Sequence, residues 1–154
     1  MKIGIISDTH YGHPAKMQIE SWVAEAFAEV DMIVHAGDVE HPEFFNLLRE
    51  IAPVYAVRGN CDTHHSFDTP LSRSIDIGCG LLTVAHRADQ ARSAVLPQTR
   101  VMVYGHTHLS LINQESDLLI INPGSPTMPR GGMPPSVAVL TATHKELFAQ
   151  LKHR

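Results

Sequence analysis

The 154-residue sequence predicts an α/β fold: a β-sandwich of two sheets flanked by helices and entered through a βαβαβ unit. In the first half, short apolar runs alternate with stretches of helical period, the pattern of parallel strands joined by helical crossovers. In the second half, short apolar runs succeed one another with a single brief helical stretch among them, so a second sheet is expected. A third observation bears on what this fold carries. Eleven histidines outnumber the aromatic residues (five Phe, three Tyr, one Trp), and histidine is both the commonest metal ligand and the side chain that titrates near neutral pH.

The elements follow in order. Residues 2–7 form an almost unbroken apolar run, as a buried strand requires. Ile19, Trp22, Val23, Ala26, Phe27 and Val30 then recur at helical spacing, with Glu20, Glu25 and Glu29 off the stripe. Residues 32–36 read as a second strand. Phe44, Leu47, Leu48 and Ile51 mark a second helix that opens after Pro42 and Glu43, and residues 54–57 read as a third strand. Beyond it, strands are expected over 74–77, 81–85, 101–104, 109–113, 118–121 and 137–141, with a short helix around 89–95. Cys79, between Gly78 and Gly80, suits a hairpin turn, and the Pro/Gly-rich stretch 122–135 reads as an ordered loop because a strand-like run follows it.

The length suits one domain, residues 1–154, large enough to bury a core unaided. Twelve Lys and Arg against sixteen Asp and Glu leave a formal charge of −4, which offers no footprint for a nucleic-acid polymer or an anionic membrane. Two cysteines make no disulfide framework, so a cytoplasmic setting is expected. The first apolar run stops at Ser7-Asp8, too short for a signal segment or a span.

The chemistry sits where strands stop. The first strand ends in Asp8-Thr9-His10, the second in Gly37-Asp38 and the third in Gly59-Asn60-Cys61-Asp62; the run 81–85 ends in His86, and the run 101–104 in Gly105-His106-Thr107-His108. Ligand sites of open α/β sheets form beyond the carboxyl ends of strands, so these five ends can converge. The glycines before Asp38, Asn60 and His106 are expected to permit the tight turns that aim the next side chain. Carboxylate, amide and imidazole without thiolate suit Mn, Fe, Co, Ni or Zn ions. The candidates exceed the needs of one ion, so two ions about 3.5–4 Å apart are expected, an arrangement suited to displacement at phosphorus. Motifs of other hydrolytic or nucleotide-binding sites (G-x-x-x-x-G-K-[ST], H-E-x-x-H, G-x-S-x-G) are absent from the sequence.

These five motifs, in this order, resemble the calcineurin-like metallophosphoesterases, in particular their small single-domain phosphodiesterase branch (the YfcE type). Asn122-Pro123-Gly124-Ser125 and Pro129-Arg130-Gly131-Gly132 resemble that branch too, and the likeness spans residues 1–141. The resemblance implies one metal ion held by Asp8, His10, Asp38 and His108, and a second held by Asp38, Asn60, His86 and His106, with Asp38 bridging. It also implies a bridging hydroxide as nucleophile, manganese as the favoured ion, a small or nucleotide-like phosphodiester as substrate, and a homodimer or higher homo-oligomer. Phosphomonoester hydrolysis is the rival within the same chemistry. A protein-binding scaffold is the rival outside it, because a retromer subunit resembles this fold.

Two positions depart from the family's pattern. Cys61 stands where many relatives carry a histidine that helps protonate the leaving group; it reads either as a weak acid near the reaction or as a small buried hydrophobe. Arg87 follows His86 where glycine is usual, and either clamps a phosphate or points to solvent. Asp62 is expected to orient His10 or another ligand through a hydrogen bond. Arg130 is a second candidate for a phosphate oxygen, with a structural or solvated arginine as the plainer reading. His35 is expected to make a structural hydrogen bond, the 122–125 motif to brace a metal-bearing loop, and His13, His41, His64 and His65 to lie on the rim or the surface. His144 and His153 are assigned no role.

Overall fold

The computed structural model describes residues 1–12, 18–63 and 68–154, so the expectations for His13, His64 and His65 fall outside the described residues. The first five elements are the expected βαβαβ unit: β1 (Lys2–Ile6), α1 (Glu20–Ala26), β2 (Met32–His35), α2 (Glu43–Ile51) and β3 (Val54–Ala56). There follow β4 (Ser72–Asp76), β5 (Leu81–Ala85), α3 (Ala88–Ser93), β6 (Thr99–Val103), β7 (Leu111–Glu115), β8 (Leu118–Asn122), β9 (Ser136–Ala142) and β10 (Leu147–His153). They build two five-stranded sheets, β10-β9-β1-β2-β3 and β4-β5-β6-β8-β7.

Packing explains the sequence pattern. Side chains alternate along a strand, so Ile3 and Ile5 of β1 enter the core between the sheets with Leu82, Val84, Val103 and Ile121. Ile6 faces the other way, into a layer with Val23 and Phe27 of the first helical segment and Phe44 and Leu48 of α2. A Cβ on Gly4 would stand 2.9 Å from the Phe27 ring, so that ring packs directly on the strand backbone. Full burial of Phe27 and Phe44 contributes roughly 1.5–3 kcal/mol each. On the outer face of the second sheet, α3 supplies Ala91 against Ala85, Met102 and Ile120.

Register places the functional loops. Ile6 pairs with His35, and His35 with Ala56, so three parallel strands of one sheet end level. Val84, Val103 and Ile121 are likewise in register in the other. All the ligand-bearing loops therefore leave the same end of the sandwich.

The departures are local. The strand expected over 109–113 begins at Leu111, because Leu109 and Ser110 continue the loop from His108. The tail forms a tenth strand, β10, which pairs with β9 from Leu147 opposite Ala142 to His153 opposite Ser136. The first helix ends at Ala26 although its apolar stripe runs on; Phe27 and Val30 close it through a turn, Val30 N–H donating to Phe27 O at 3.2 Å. Cys79 does lie in the turn between β4 and β5, where Ile77 N–H meets Gly80 O at 3.0 Å. Among the described residues, no helix is long and apolar enough to cross a membrane.

Candidate metal centre

The loops at this end hold an unusual backbone. Asp8, His10, Asp38, Glu40, His106 and His108 all have left-handed φ, between 41° and 66°; Ser116 in the β7–β8 turn is the other non-glycine so placed among the described residues. Such conformations cost about 1–3 kcal/mol each and persist only where surroundings enforce them. Here the enforcement is a hydrogen-bond net. Asp8 N–H donates to Gly37 O at 3.0 Å, and His10 N–H to Asp38 O at 2.9 Å, tying the first loop to the second. Ser125 Oγ donates to Asp8 O at 2.7 Å, and Asn122 Nδ2 to Gly105 O at 3.0 Å, so the 122–125 segment braces two ligand loops. His35, wholly buried, accepts Gly37 N–H on Nδ1 at 3.1 Å, which leaves the proton on Nε2 to donate to Thr9 Oγ1 at 3.1 Å. Burial holds His35 neutral, its pKa pushed down to about 4.

The glycines act differently from expectation. Gly37 alone of the three has a left-handed φ, 95°. Gly59 and Gly105 are needed for space: a Cβ on Gly59 would lie 2.0 Å from Asp38 Oδ1, and one on Gly105 would lie 1.9 Å from Ser7 Oγ. The turns are made by the ligand residues themselves.

Three imidazoles converge with the same orientation. His86 Nδ1 donates to Ala36 O at 2.8 Å, His108 Nδ1 to Met128 O at 2.6 Å, and His10 Nδ1 pairs with the Glu40 carboxylate. Each ring thus turns Nε2 toward the centre. His108 Nε2 lies 3.3 Å from both Asp8 Oδ1 and His10 Nε2. His86 Nε2 lies 3.3 Å from Asp38 Oδ2 and 3.0 Å from Asn60 Oδ1. Two groups of ligand atoms result, Asp8–His10–His108 and Asp8–Asp38–His86, each within 4.8 Å and fully buried. A third, more open group joins His10, Glu40 and Cys61. In these groups the shared carboxylate is Asp8, whereas the resemblance assigns sharing to Asp38. Two ring nitrogens that face each other across 3.3 Å, each with its other nitrogen held by an oxygen, require a positive charge between them. Divalent ions fit this donor set.

Charge in the site is tuned accordingly. Burial disfavours the charged form of Asp38, but the His86 hydrogen bond and the Cys61 N–H outweigh it and hold the carboxyl well below the usual range. Burial likewise disfavours protonated His86, yet Asp38 and Asp8 raise its pKa overall. His106 is lowered by burial and by the nearby His86 and Arg87 charges. The Cys61 thiol is pushed up to about 12 by burial and by Asp38, so it stays protonated.

The remaining expected residues divide. Asn60 is exposed and bonds His86 through Oδ1 and the Cys61 sulfur through Nδ2. His106 N–H donates to both Asp8 oxygens, at 3.1 and 2.9 Å, while its Nε2 meets Arg87 Nη1 at 3.0 Å. Arg130 joins the site by its backbone, its N–H donating to His108 O at 3.2 Å; its side chain is exposed. His41 is exposed beside Gly12. Asp62 hydrogen-bonds another ligand, Asp38, rather than His10, and does so through the backbone. Its carboxylate accepts the backbone N–H groups of Asp38, Val39, Glu40 and Gly59 at 2.8–2.9 Å, so it shapes the loop. The carboxylate on His10 Nδ1 is Glu40, which sequence reasoning passed over, although its place two residues after Asp38 puts it in the same loop.

Comparison with known proteins agrees with this picture. The chain is 38% identical over 159 residues to a probable metallophosphoesterase of Methanothermobacter thermautotrophicus, covering 98% of this chain and 91% of that protein. It is 33% identical over 162 residues to the phosphodiesterase YfcE of Escherichia coli, covering 91% and 87%. The solved structure of YfcE, described as a phosphoesterase, superposes with a TM-score of 0.73 at 30% identity over 92% of this chain and 88% of that one. Vps29 of Chaetomium thermophilum shares the fold, with a TM-score of 0.81 at 18% identity over 98% and 87%. A family model of the calcineurin-like phosphoesterase superfamily domain matches residues 1–145, and the chain belongs to that superfamily.

Proposed function

We propose that the chain is a metal-dependent phosphodiesterase that hydrolyses a small or nucleotide-like phosphodiester. The observation that carries this reading is the shared orientation of His10, His86 and His108, each with Nδ1 held by an oxygen and Nε2 turned to buried carboxylates. In this reading Asp8, His10, Asp38 and His108 hold one ion, and Asp38, Asn60, His86 and His106 the other. Manganese is favoured, with nickel, iron, cobalt or zinc as substitutes. A pair of divalent ions supplies water activated near neutral pH and positive charge for the phosphoryl oxygens.

The chain's own residues set the rest. Among the described residues, Arg87 and Arg130, both exposed on this rim, are cations available to phosphate oxygens. Cys61 stays a neutral thiol and lends little acid catalysis, so substrates whose alcohol leaves easily are favoured. That argues for diesters over monoesters, as does the name of the E. coli relative. The likeness to Vps29 concerns the fold, and all seven ligand positions here keep residues able to bind metal, which favours catalysis over a scaffold. A small-molecule substrate without nucleic-acid polymer or membrane, a homo-oligomeric state and a cytoplasmic setting complete the proposal.

The test compares bis(4-nitrophenyl) phosphate with 4-nitrophenyl phosphate across Mn²⁺, Ni²⁺, Co²⁺ and Zn²⁺. Metal-dependent hydrolysis faster for the diester supports the reading. Faster hydrolysis of the monoester moves it to a phosphomonoesterase, and no turnover of either with any ion, together with no bound metal, leaves the scaffold.

A further inference from the structure

Arg87 comes directly after His86 and caps α3 with an extended backbone, φ −102° and ψ 147°. Its guanidinium is fixed on two sides. Nε lies 3.4 Å from Asp89 Oδ1, and Nη1 lies 3.0 Å from His106 Nε2. A guanidinium is always protonated and has donors only. His106 Nε2 must therefore accept, presenting its lone pair to Arg87.

This settles how His106 can meet a cation. An ion on Nε2 needs the lone pair that Arg87 now uses. An ion on Nδ1 leaves the ring proton on Nε2, where it would point at another donor. Either way the Arg87 bond and a metal bond at His106 exclude each other. Among the described residues, no arginine meets Nε2 of His86 or His108, whose Nδ1 goes to Ala36 O and Met128 O and leaves Nε2 to the centre.

Resting on the two-ion reading above, we propose that Arg87 and a metal ion compete for His106, so that the two ions bind with unequal affinity. The ion held by Asp8, His10 and His108 enters first. The ion that requires His106 enters last, and its entry frees the guanidinium at the rim for an anionic ligand while Asp89 keeps it near.

The experiment is Mn²⁺ titration of the full chain, wild type and Arg87→Ala, followed by equilibrium dialysis. Arg87 is half exposed, so the substitution leaves the core intact. Wild type is expected to show one tight and one weak ion. Arg87→Ala should tighten the weak ion by about tenfold or more, the scale of one lost charge-assisted hydrogen bond, and leave the tight one unchanged. A long-range ¹H–¹⁵N spectrum of the chelated protein provides a second readout: the His106 proton should sit on Nδ1 in wild type and lose that preference in the variant. Two wild-type ions of equal affinity, or constants within twofold between the two proteins, overturn the competition and leave the phosphodiesterase reading standing. A chain that binds no Mn²⁺ in either form overturns both.

Discussion

Substituting Asp62 by Asn should unfold the loop that presents Asp38, although Asn is nearly isosteric. Asp62 Oδ2 accepts from Asp38 and Gly59, and Oδ1 from Val39 and Glu40. An amide keeps one oxygen, so whichever way it is turned two backbone N–H groups lose their acceptor and face an NH₂. A buried donor left unsatisfied costs about 1–3 kcal/mol, so the pair costs about 3 kcal/mol. Asp38 and Glu40 also depend on this carboxylate to keep φ at 57° and 65°. With a urea slope of about 2 kcal/mol per molar, the unfolding midpoint of chelated protein should drop by about 1.5 M. Mn²⁺ affinity should fall with it, because Asp38 is aimed by the same loop. If Asp62 served instead to orient His10, one retained acceptor would suffice and stability would hold. A midpoint within 0.3 M of wild type, by roughly the precision of such extrapolations, therefore refutes the loop-clamp account.

The site makes further predictions of its own. Asp38→Asn should cut diester hydrolysis by roughly a thousandfold, about 4 kcal/mol of transition-state stabilisation, measured as kcat/KM with saturating Mn²⁺. Glu40→Ala should weaken Mn²⁺ binding by about 10–100-fold by freeing the His10 ring, while Glu40→Gln, which keeps an acceptor for Nδ1, should recover most of the loss in the same titration. Metal affinity should decline as pH falls below about 6. The His86 pKa is raised, so protons displace metal there at a higher pH than at an ordinary histidine; binding is full above that pKa and lost below it, which dialysis at stepped pH measures. Stability should also decline in acid through His35: its folded pKa of about 4 lies below the unfolded value near 6.5, so about 3 kcal/mol present above pH 6.5 is lost by pH 4, and His35→Gln should flatten that slope in urea melts.

What the sequence reveals of this site is what side-chain type reveals. Asp8, His10, Asp38, His86 and His108 stand at strand ends, and register brings the ends level within each sheet: those of Asp8, His10 and Asp38 through the βαβαβ unit, and those of His86 and His108 through the parallel β5–β6 pair of the second sheet. The groups that aim them are harder to read. Ala36 and Met128 contribute backbone carbonyls, which any residue has, so no letter marks them. The left-handed ligands are equally silent, since a non-glycine at positive φ is fixed by its surroundings. Glycine misleads in the same way: at positions 59 and 105 it marks absence of a side chain beside Asp38 and Ser7, which only the partner strand discloses. The tenth strand had a visible signal. Leu147, Ala149 and Leu151 alternate with Phe148 and Gln150, and the exposed Phe148 blurs it at the sheet edge.

Three aspartates at this site, Asp8, Asp38 and Asp62, are all almost wholly buried, at 0, 2 and 5% exposure, and look alike in the sequence. Burial of an ionised carboxylate is tolerated only when hydrogen bonds or charges answer it. Asp62 is answered by four amide N–H groups, so its lone pairs are committed and it has none to give a cation. Asp38 is answered on one oxygen by Cys61 N–H at 2.8 Å and on the other by His86, whose own ring nitrogen is a ligand candidate. Among the described residues, Asp8 is answered by the His106 N–H, shared between both oxygens, with His108 beside it. Asp62 thus has four backbone donors, whereas Asp38 and Asp8 each have one backbone N–H and one imidazole, and the need for a cation is greater at those two. The chain's formal charge of −4 counts these carboxylates alike; the hydrogen-bond net separates one that shapes the loop from two that call for metal.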